Sequence, residues 1–233
     1  MPVNTCYSNN REGRYPSFKG NRRLMFITHR TGRYTECEEV KMVLEGGASW
    51  IQLRMKENRD SAMAKKVFQL CSECAADTIL CIDDDVSLAL DCGAQAVHLG
   101  KNDMPVKDAW EMVGKSIRKD DLFYIGATAN TWEDIRRAVD EGASYIGLGP
   151  YRFTETKKKL SPVLGLEGYR TLLRQCKEAD LQIPVFAIGG IGLEDVAPLM
   201  ETGITGIAVS GAIIQANDPA EETRRFINEI NKY

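Results

Sequence analysis

The sequence has no run of eighteen apolar residues and no large excess of charge of either sign. Without such a run, a membrane-spanning helix is not expected. The formal net charge is -3 and the sequence pI is about 5.6, so the overall charge gives no indication of binding to nucleic acid or to an anionic membrane surface. An anionic ligand would therefore have to be held by local positive groups or by a metal.

Residues 1–22 also lack the apolar core of a secretory signal peptide. This polar stretch is interpreted as a loose extension before the folded domain, with a transit peptide as the alternative. The seven cysteines are an odd number, which predicts reduced thiols in a cytoplasmic protein. The CSEC stretch at 71–74 has no second CxxC beside it, so two thiols one helical turn apart are favoured over a redox or zinc site.

Short apolar stretches alternate along the chain with amphipathic stretches of helical period. The predicted strands are 23–29, 50–54, 78–83, 96–100, 123–128, 145–149, 184–190 and 206–210. The predicted helices are 36–46, 61–76, 86–92, 105–113, 131–141, 166–179, 193–202 and 219–231. Starting signals support several helices, such as Thr131 with Asp134 as a capping box.

An internal repeat supports this succession of elements. EGGASWIQL, DCGAQAVHL, EGASYIGLG and ETGITGIAV share a helix end, a glycine and an apolar strand. Eight strands, each followed by a helix, predict an α/β protein with a single (β/α)8 TIM barrel over residues 23–233. An open doubly wound sheet is less favoured because no GxGxxG follows the first strand.

The stretch IQLRMK at 51–56 alternates apolar and polar residues, which is typical of a strand with two different faces. In a barrel its apolar residues would pack under the helices. Gln52, Arg54 and Lys56 would line the interior and lead towards the C-terminal mouth, where barrel enzymes bind their ligands. The alternative is that this polar face only fills the barrel or pairs with internal carboxylates.

Carboxylates follow the next two predicted strands. Asp83, Asp84 and Asp85 end one strand, and Asp103 follows the other. Oxygen ligands on adjacent loops can hold Mg²⁺ and share it with phosphate, although the Asp run could equally cap the following helix. We favour Asp85 as the cap and Asp84 as the metal ligand.

The remaining strand ends add anion-binding groups. Strand 5 ends near Thr128 and Asn130, and a long loop over 151–165 carries Thr154, Thr156 and Lys157, as expected of a lid. After strands 7 and 8, which flank the usual phosphate site of this fold, the candidates are Gly189, Gly190, Ser210 and Gly211. The alternative for the glycines is a role in tight turns. Two anionic groups in one mouth indicate a transfer between two small-molecule substrates.

Seven stretches, QLRMK, DDVSLAL, GAQAVHLGKNDMP, GATANT, YIGLGPYRFTETK, FAIGGI and AVSGAI, occur in an order that resembles the thiamine phosphate synthase family. The resemblance covers about residues 23–230. It implies a transferase that joins hydroxymethylpyrimidine diphosphate to a thiazole phosphate with Mg²⁺ as cofactor, and it leaves a homo-oligomer open.

The resemblance also implies roles for individual residues. The pyrimidine diphosphate would be bound by Gln52, Arg54, Lys56, Asp83, Thr128 and Lys157, of which Arg54, Lys56, Thr128 and Lys157 are the expected catalytic groups. Mg²⁺ would be held by Asp84 and Asp103. The thiazole phosphate would contact Thr154, Thr156, Gly190, Ser210 and Gly211.

The chain departs from the family pattern at a few positions. Asp83 stands where the family usually has Asn, Asp85 where it usually has Arg, and Thr128 where it usually has Ser. An extra negative charge at Asp83 is expected to weaken diphosphate binding unless something compensates for it. His29 is interpreted as an ordinary strand-end histidine. Two alternatives stay open: a thiazole tautomerase-like isomerase, and a catalytically inactive barrel that binds thiamine precursors.

Overall fold

The computed structural model describes residues 18–55, 59–74, 77–117, 122–153 and 162–233. Its strands are β1 Leu24–Ile27, β2 Trp50–Leu53, β3 Ile79–Asp83, β4 Ala96–Leu99, β5 Tyr124–Ala129, β6 Tyr145–Leu148, β7 Val185–Ile188 and β8 Gly206–Val209. All eight pair in parallel with their sequence neighbours, and β1 pairs with β8 to close the barrel. The predicted (β/α)8 barrel is confirmed.

The described helices surround the barrel. They are α1 Glu36–Glu45, α2 Ser61–Cys74, α3 Val86–Cys92, α4 Val106–Ser116, α5 Trp132–Asp140, α6 Gly165–Glu178, α7 Val196–Met200, α8 Gly211–Ile214 and α9 Pro219–Ile230. The predicted helix 193–202 instead begins as a 3-10 turn, Leu193–Asp195, before α7. None of the described helices is long and apolar enough to cross a membrane.

The repeated glycines share one backbone conformation. Gly47, Gly93, Gly142 and Gly203 have φ values of 92, 82, 89 and 90°. In three of the repeats the residue after the glycine donates its backbone N–H to a carbonyl five residues earlier, as in Ala94 to Ala89 at 2.9 Å. Because side chains rarely adopt positive φ, glycine ends each helix and turns the chain into the next strand.

Two apolar layers hold the fold together. The outer layer lies between strands and helices and includes Ile51 and Leu53, with Met55 packed against it. The inner layer fills the lumen around Trp50, Tyr145 and Phe186. The predicted outward orientation of the apolar face of β2 is therefore confirmed, and its alternating residue Gln52 is 3 % exposed.

Phe18 closes the lumen at the N-terminal end of the strands. Its ring lies 4.7 Å from that of Trp50 and 5.0 Å from that of Phe186, measured between centroids. The side chain is buried, and a 3-10 turn, Gly20–Arg23, leads from it into β1. The division at residue 23 between extension and barrel stays a prediction, but the core already includes Phe18.

We expect Phe18→Ala to lower the free energy of unfolding by about 3–5 kcal/mol, because it leaves a cavity among large aromatic rings. Urea denaturation of the full chain would measure the loss. Phe18→Leu is the matched control and should cost less than about 1.5 kcal/mol. A loss below about 1 kcal/mol for the alanine variant would show that Phe18 does not support the core.

Candidate active site

Arg54, Gln52 and Asp83 form a polar cluster at the C-terminal ends of β2 and β3. Gln52 Nε2 donates to Asp83 Oδ1 at 2.5 Å, and Arg54 Nε lies 3.1 Å from Asp83 Oδ2. The Arg54 and Asp83 side chains are 20 % and 12 % exposed. Pairing with an internal carboxylate, the alternative considered for this face, is therefore realised at Arg54. Lys56, the third predicted residue, lies outside the described residues.

The buried Thr28 fixes the backbone beneath this cluster. Arg54 N donates to Thr28 Oγ1 at 2.8 Å, and Thr28 Oγ1 donates back to the Arg54 carbonyl at 3.3 Å. The exchange continues the β1–β2 pairing past the last strand residue. Arg54 is thus positioned by backbone bonds and by the Asp83 carboxylate together, which limits the freedom of its long side chain.

Two further carboxylates converge at Gly100, at the end of β4. Asp103 Oδ2 accepts from Gly100 N at 2.7 Å. A Cβ at Gly100 would lie 2.6 Å from Asp103 Oδ2 and 3.8 Å from Asp84 Oδ1. Glycine at this position therefore leaves room for the Asp103 carboxylate, while the Asp84 carboxylate is at an ordinary contact distance.

The backbone at Asp84 is held in an uncommon conformation. Its φ of 63° lies in the left-handed region, which Asp tolerates better than most residues but which still costs free energy. Its N–H donates to His98 O at 2.8 Å. The strand pairing thus holds this turn, and the Asp84 side chain is exposed at the mouth.

Oxygen donors from Asp84 and Asp103 suit a hard cation. Within the described ranges, no group of three or more His, Cys, Asp or Glu side chains could hold a metal. Mg²⁺ is compatible with a two-carboxylate site because it keeps several waters and shares phosphate oxygens. The donor chemistry therefore fits the predicted cofactor.

Asp85 caps α3, as predicted. Its Oδ1 accepts from Leu88 N at 3.0 Å, and its Oδ2 lies 3.0 Å from Arg59 Nη1. The three consecutive aspartates therefore have different surroundings: Asp83 pairs with Arg54, Asp84 lies near Gly100, and Asp85 starts a helix.

Thr128 lies on β5 at the opposite wall of the lumen. Its Oγ1 is 3.0 Å from His98 Nε2, and His98 Nδ1 is 3.3 Å from the Tyr145 hydroxyl. His98 is 6 % exposed. The sequence reasoning gave His98 no role, although its place in the strand stretch AVHLG, with apolar neighbours on both sides, could have suggested an inward side chain. Asn130 donates to the Gly149 carbonyl and so connects the ends of β5 and β6.

The ends of β7 and β8 show the expected glycine-rich geometry. Gly189 and Gly190 have φ values of 96° and 70°, and a Cβ at Gly190 would lie 2.9 Å from Phe153 O. Tight turning therefore explains these two glycines in part. Ser210 precedes Gly211, the first residue of α8, and its buried Oγ has no hydrogen-bond partner within the described part of the chain.

Arg152 connects the β6 loop to the β7 loop and was missed by the sequence reasoning. Its guanidinium contacts the Asp195 carboxylate with both terminal nitrogens, Nη1 to Oδ2 at 2.7 Å. Asp195 Oδ2 also accepts from Gly192 N at 2.9 Å. These contacts fix the start of the predicted lid beside Gly190. Thr154, Thr156 and Lys157 lie outside the described residues.

Glu39 is a fully buried carboxyl group behind the end of β1. Its Oε2 accepts from His29 N at 2.8 Å, while its Oε1 has no hydrogen-bond partner among the residues described. Burial raises the pKa of Glu39 to about 7, and the nearby Glu36 adds to the increase. Local sequence gave no sign of this group, because an amphipathic helix shows only which side is mostly apolar.

The closed parallel barrel, with polar side chains gathered at one end, defines a (β/α)8 barrel protein. A family model described as thiamine monophosphate synthase matches residues 24–213. The chain belongs to this family, as the resemblance of its motifs indicated.

Individual relatives agree with this assignment. A thiamine-phosphate synthase from Bacteroides fragilis is 52% identical over 206 residues, covering 88% of this chain and 98% of the relative. One from Pyrococcus horikoshii is 37% identical over 220 residues, covering 92% and 99%. The solved thiamine phosphate pyrophosphorylase from Pyrococcus furiosus superposes with a TM-score of 0.76 at 33% identity, covering 91% of this chain and 97% of that one.

The raised pKa of Glu39 predicts a pH-dependent stability. Well below pH 4.5 the group is protonated in both the folded and the unfolded chain. Between the ordinary value of 4.5 and about 7, only the unfolded chain releases the proton, so stability falls as pH rises. Urea titrations should show Glu39→Gln gaining about 3 kcal/mol over the parent between pH 4.5 and 7.5.

The matched control for Glu39→Gln is Glu45→Gln, at an exposed position at the end of the same helix. Its stability difference from the parent should change little over the same pH range. An equal pH dependence for both variants would contradict the assignment to buried Glu39.

Proposed function

We propose that the chain is a thiamine-phosphate synthase, a transferase that joins 4-amino-2-methyl-5-hydroxymethylpyrimidine diphosphate to 4-methyl-5-(2-phosphoethyl)thiazole. The products are thiamine phosphate and diphosphate. The names of the relatives support this activity. On the chain itself, support comes from Arg54 and Gln52, which contact Asp83 at the ends of β2 and β3, and from the buried Ser210 hydroxyl at the end of β8.

The reaction needs charge stabilisation more than a nucleophile. The bond between the pyrimidine methylene carbon and the diphosphate oxygen breaks, and the electron pair leaves with the diphosphate. The thiazole nitrogen then forms a bond to the pyrimidine cation. Arg54 and Gln52 would bind the diphosphate, and the Thr128 hydroxyl would contact it from β5.

Asp84 and Asp103 would hold Mg²⁺, which when bound would neutralise charge on the diphosphate. Lys56 and Lys157 are proposed as further cationic contacts, and Asp83 as a polar contact from β3. The thiazole phosphate would bind Gly190, Ser210 and Gly211, together with Thr154 and Thr156. Closure of the 151–165 loop over the mouth would keep water from the cation.

The relatives described above are named as synthases, which does not support a tautomerase-like isomerase or an inactive barrel. A cytoplasmic location and a homo-oligomer stay predictions. The proposed partners are the two small-molecule substrates, without nucleic acid or membrane.

The direct test mixes the purified chain with both substrates and Mg²⁺ and follows thiamine phosphate. We expect product that disappears with EDTA and falls at least about 100-fold in kcat/KM for Arg54→Ala, because a charge contact to the leaving group is lost. Arg225→Ala on the exposed face of α9 is the matched control and should keep parental activity. Absence of product from the parent chain would overturn the proposal.

A second prediction about the same site concerns Asp83. Its carboxylate competes with an anionic ligand for Arg54, so Asp83→Asn should bind diphosphate up to about tenfold more tightly, a change of ~1.4 kcal/mol. Calorimetry with inorganic diphosphate and Mg²⁺ would measure it. Asp85→Asn removes the same charge two residues away from the Arg54 pair and should change affinity less. Weaker binding by Asp83→Asn would show that the ligand itself needs the carboxylate.

A further inference from the structure

A buried chain of polar side chains crosses the barrel lumen beneath Thr128. Cys81 Sγ lies 3.5 Å from the Tyr145 hydroxyl. The same hydroxyl lies 3.3 Å from His98 Nδ1, and His98 Nε2 lies 3.0 Å from Thr128 Oγ1. Cys81 and Tyr145 are fully buried. The chain therefore connects the closed part of the lumen to a side chain proposed to contact diphosphate.

Neighbouring strands leave space for the two rings of this chain. A Cβ at Gly126 would overlap Tyr145 Cζ, and a Cβ at Gly147 would lie 2.9 Å from His98 Cε1. Both glycines are strand residues, on β5 and β6, where glycine weakens a strand unless something approaches closely. The absence of a side chain at Gly126 and Gly147 therefore allows the Tyr145 and His98 rings to occupy these positions.

The hydrogen bonds among these side chains have a preferred order of donors and acceptors. The Tyr145 hydroxyl carries one proton and has two neighbours that could accept it, the His98 nitrogen and the Cys81 sulfur. An imidazole nitrogen is the stronger acceptor, because sulfur accepts hydrogen bonds only weakly. The Cys81 thiol has an acceptor of its own in Ile82 O at 3.7 Å.

Burial keeps the Tyr145 phenol and the Cys81 thiol protonated. It raises the pKa of the Tyr145 phenol well above its usual value and does the same for the Cys81 thiol. An imidazole that accepts a hydrogen bond at Nδ1 is neutral, because an imidazolium has no acceptor nitrogen. A neutral His98 that accepts from Tyr145 at Nδ1 carries its proton on Nε2 and donates it to Thr128 Oγ1.

We infer that His98, held by Tyr145 as the Nε2–H tautomer, is a positioning residue that makes Thr128 a hydrogen-bond donor to the diphosphate. This inference rests on the proposed function. Diphosphate oxygens only accept hydrogen bonds. With the opposite proton order Thr128 would donate to His98 and present a lone pair to the anion, so the tautomer decides whether Thr128 attracts or repels the leaving group.

The tautomer can be measured without substrate. The chain has two histidines, so in His29→Gln protein the long-range ¹H–¹⁵N spectrum reports His98 alone. We expect the Nε2–H tautomer in this protein. In the Tyr145→Phe background the Nδ1 donor is lost, and the population should shift towards Nδ1–H. An imidazolium or a dominant Nδ1–H tautomer with Tyr145 present would overturn the inference.

Kinetics test the consequence for catalysis. Tyr145→Phe and Thr128→Val should each lower kcat/KM for the pyrimidine diphosphate about 10- to 100-fold, the loss expected for a hydrogen bond to a charged group. The KM for the thiazole phosphate should not change. Thr128→Ser keeps the hydroxyl, so its activity should stay within about threefold of that of the parent.

The double variant separates positioning from an independent effect. If Tyr145 acts through His98 on Thr128, then Tyr145→Phe with Thr128→Val should be no worse than Thr128→Val alone. Additive losses would overturn the inference. If Tyr145→Phe does not fold, two measurements still test the inference. They are the tautomer of His98 in the His29→Gln protein and the comparison of Thr128→Val with Thr128→Ser. An inactive parent chain with the Nε2–H tautomer would refute the proposed function and leave the proton order standing.

Discussion

Closure of the barrel favours partners on other strands for the polar side chains that point inward, because a buried polar group without a hydrogen bond costs free energy. The N-terminal part of the lumen is mostly aromatic, with Phe18, Trp50 and Phe186 in contact, and Trp50 Nε1 has no hydrogen-bond partner among the described residues. Nearer the C-terminal mouth the lumen is polar, and its side chains pair, Gln52 with Asp83 and His98 with Thr128. The lumen therefore changes from apolar to polar towards the C-terminal mouth.

Pairing with Arg54 gives Asp83 a structural role that its charge alone does not suggest. An additional carboxylate at the mouth is expected to oppose diphosphate binding. In the barrel it lies 3.1 Å from Arg54 Nε, so Arg54 is kept in place and partly neutralised before any ligand arrives. Removing one partner of such a half-buried pair would leave the other charge uncompensated. The carboxylate therefore belongs to the architecture of the site as well as to its electrostatics.

Much of the fold could be predicted because each repeat carries its own local signals. Helix-ending glycines such as Gly93 with φ of 82°, the Thr131 capping box and the alternation in IQLRMK all act over a few residues. Their physics is local, so they can be recognised without knowing the fold. The site was partly accessible for the same reason, since parallel strands bring their C-terminal ends to one edge.

The sequence by itself determined the order of strands and helices, the inward face of β2, the helix cap at Asp85 and the family. Only the tertiary structure decided which polar groups meet: Asp83 with Arg54 across β2 and β3, His98 with Tyr145 and Thr128 across three strands, and Arg152 with Asp195 from loop to loop. The physical reason is that partners separated by tens of residues are selected by strand register and by the space that glycines such as Gly126 and Gly147 leave, and neither quantity is a property of any short stretch of chain.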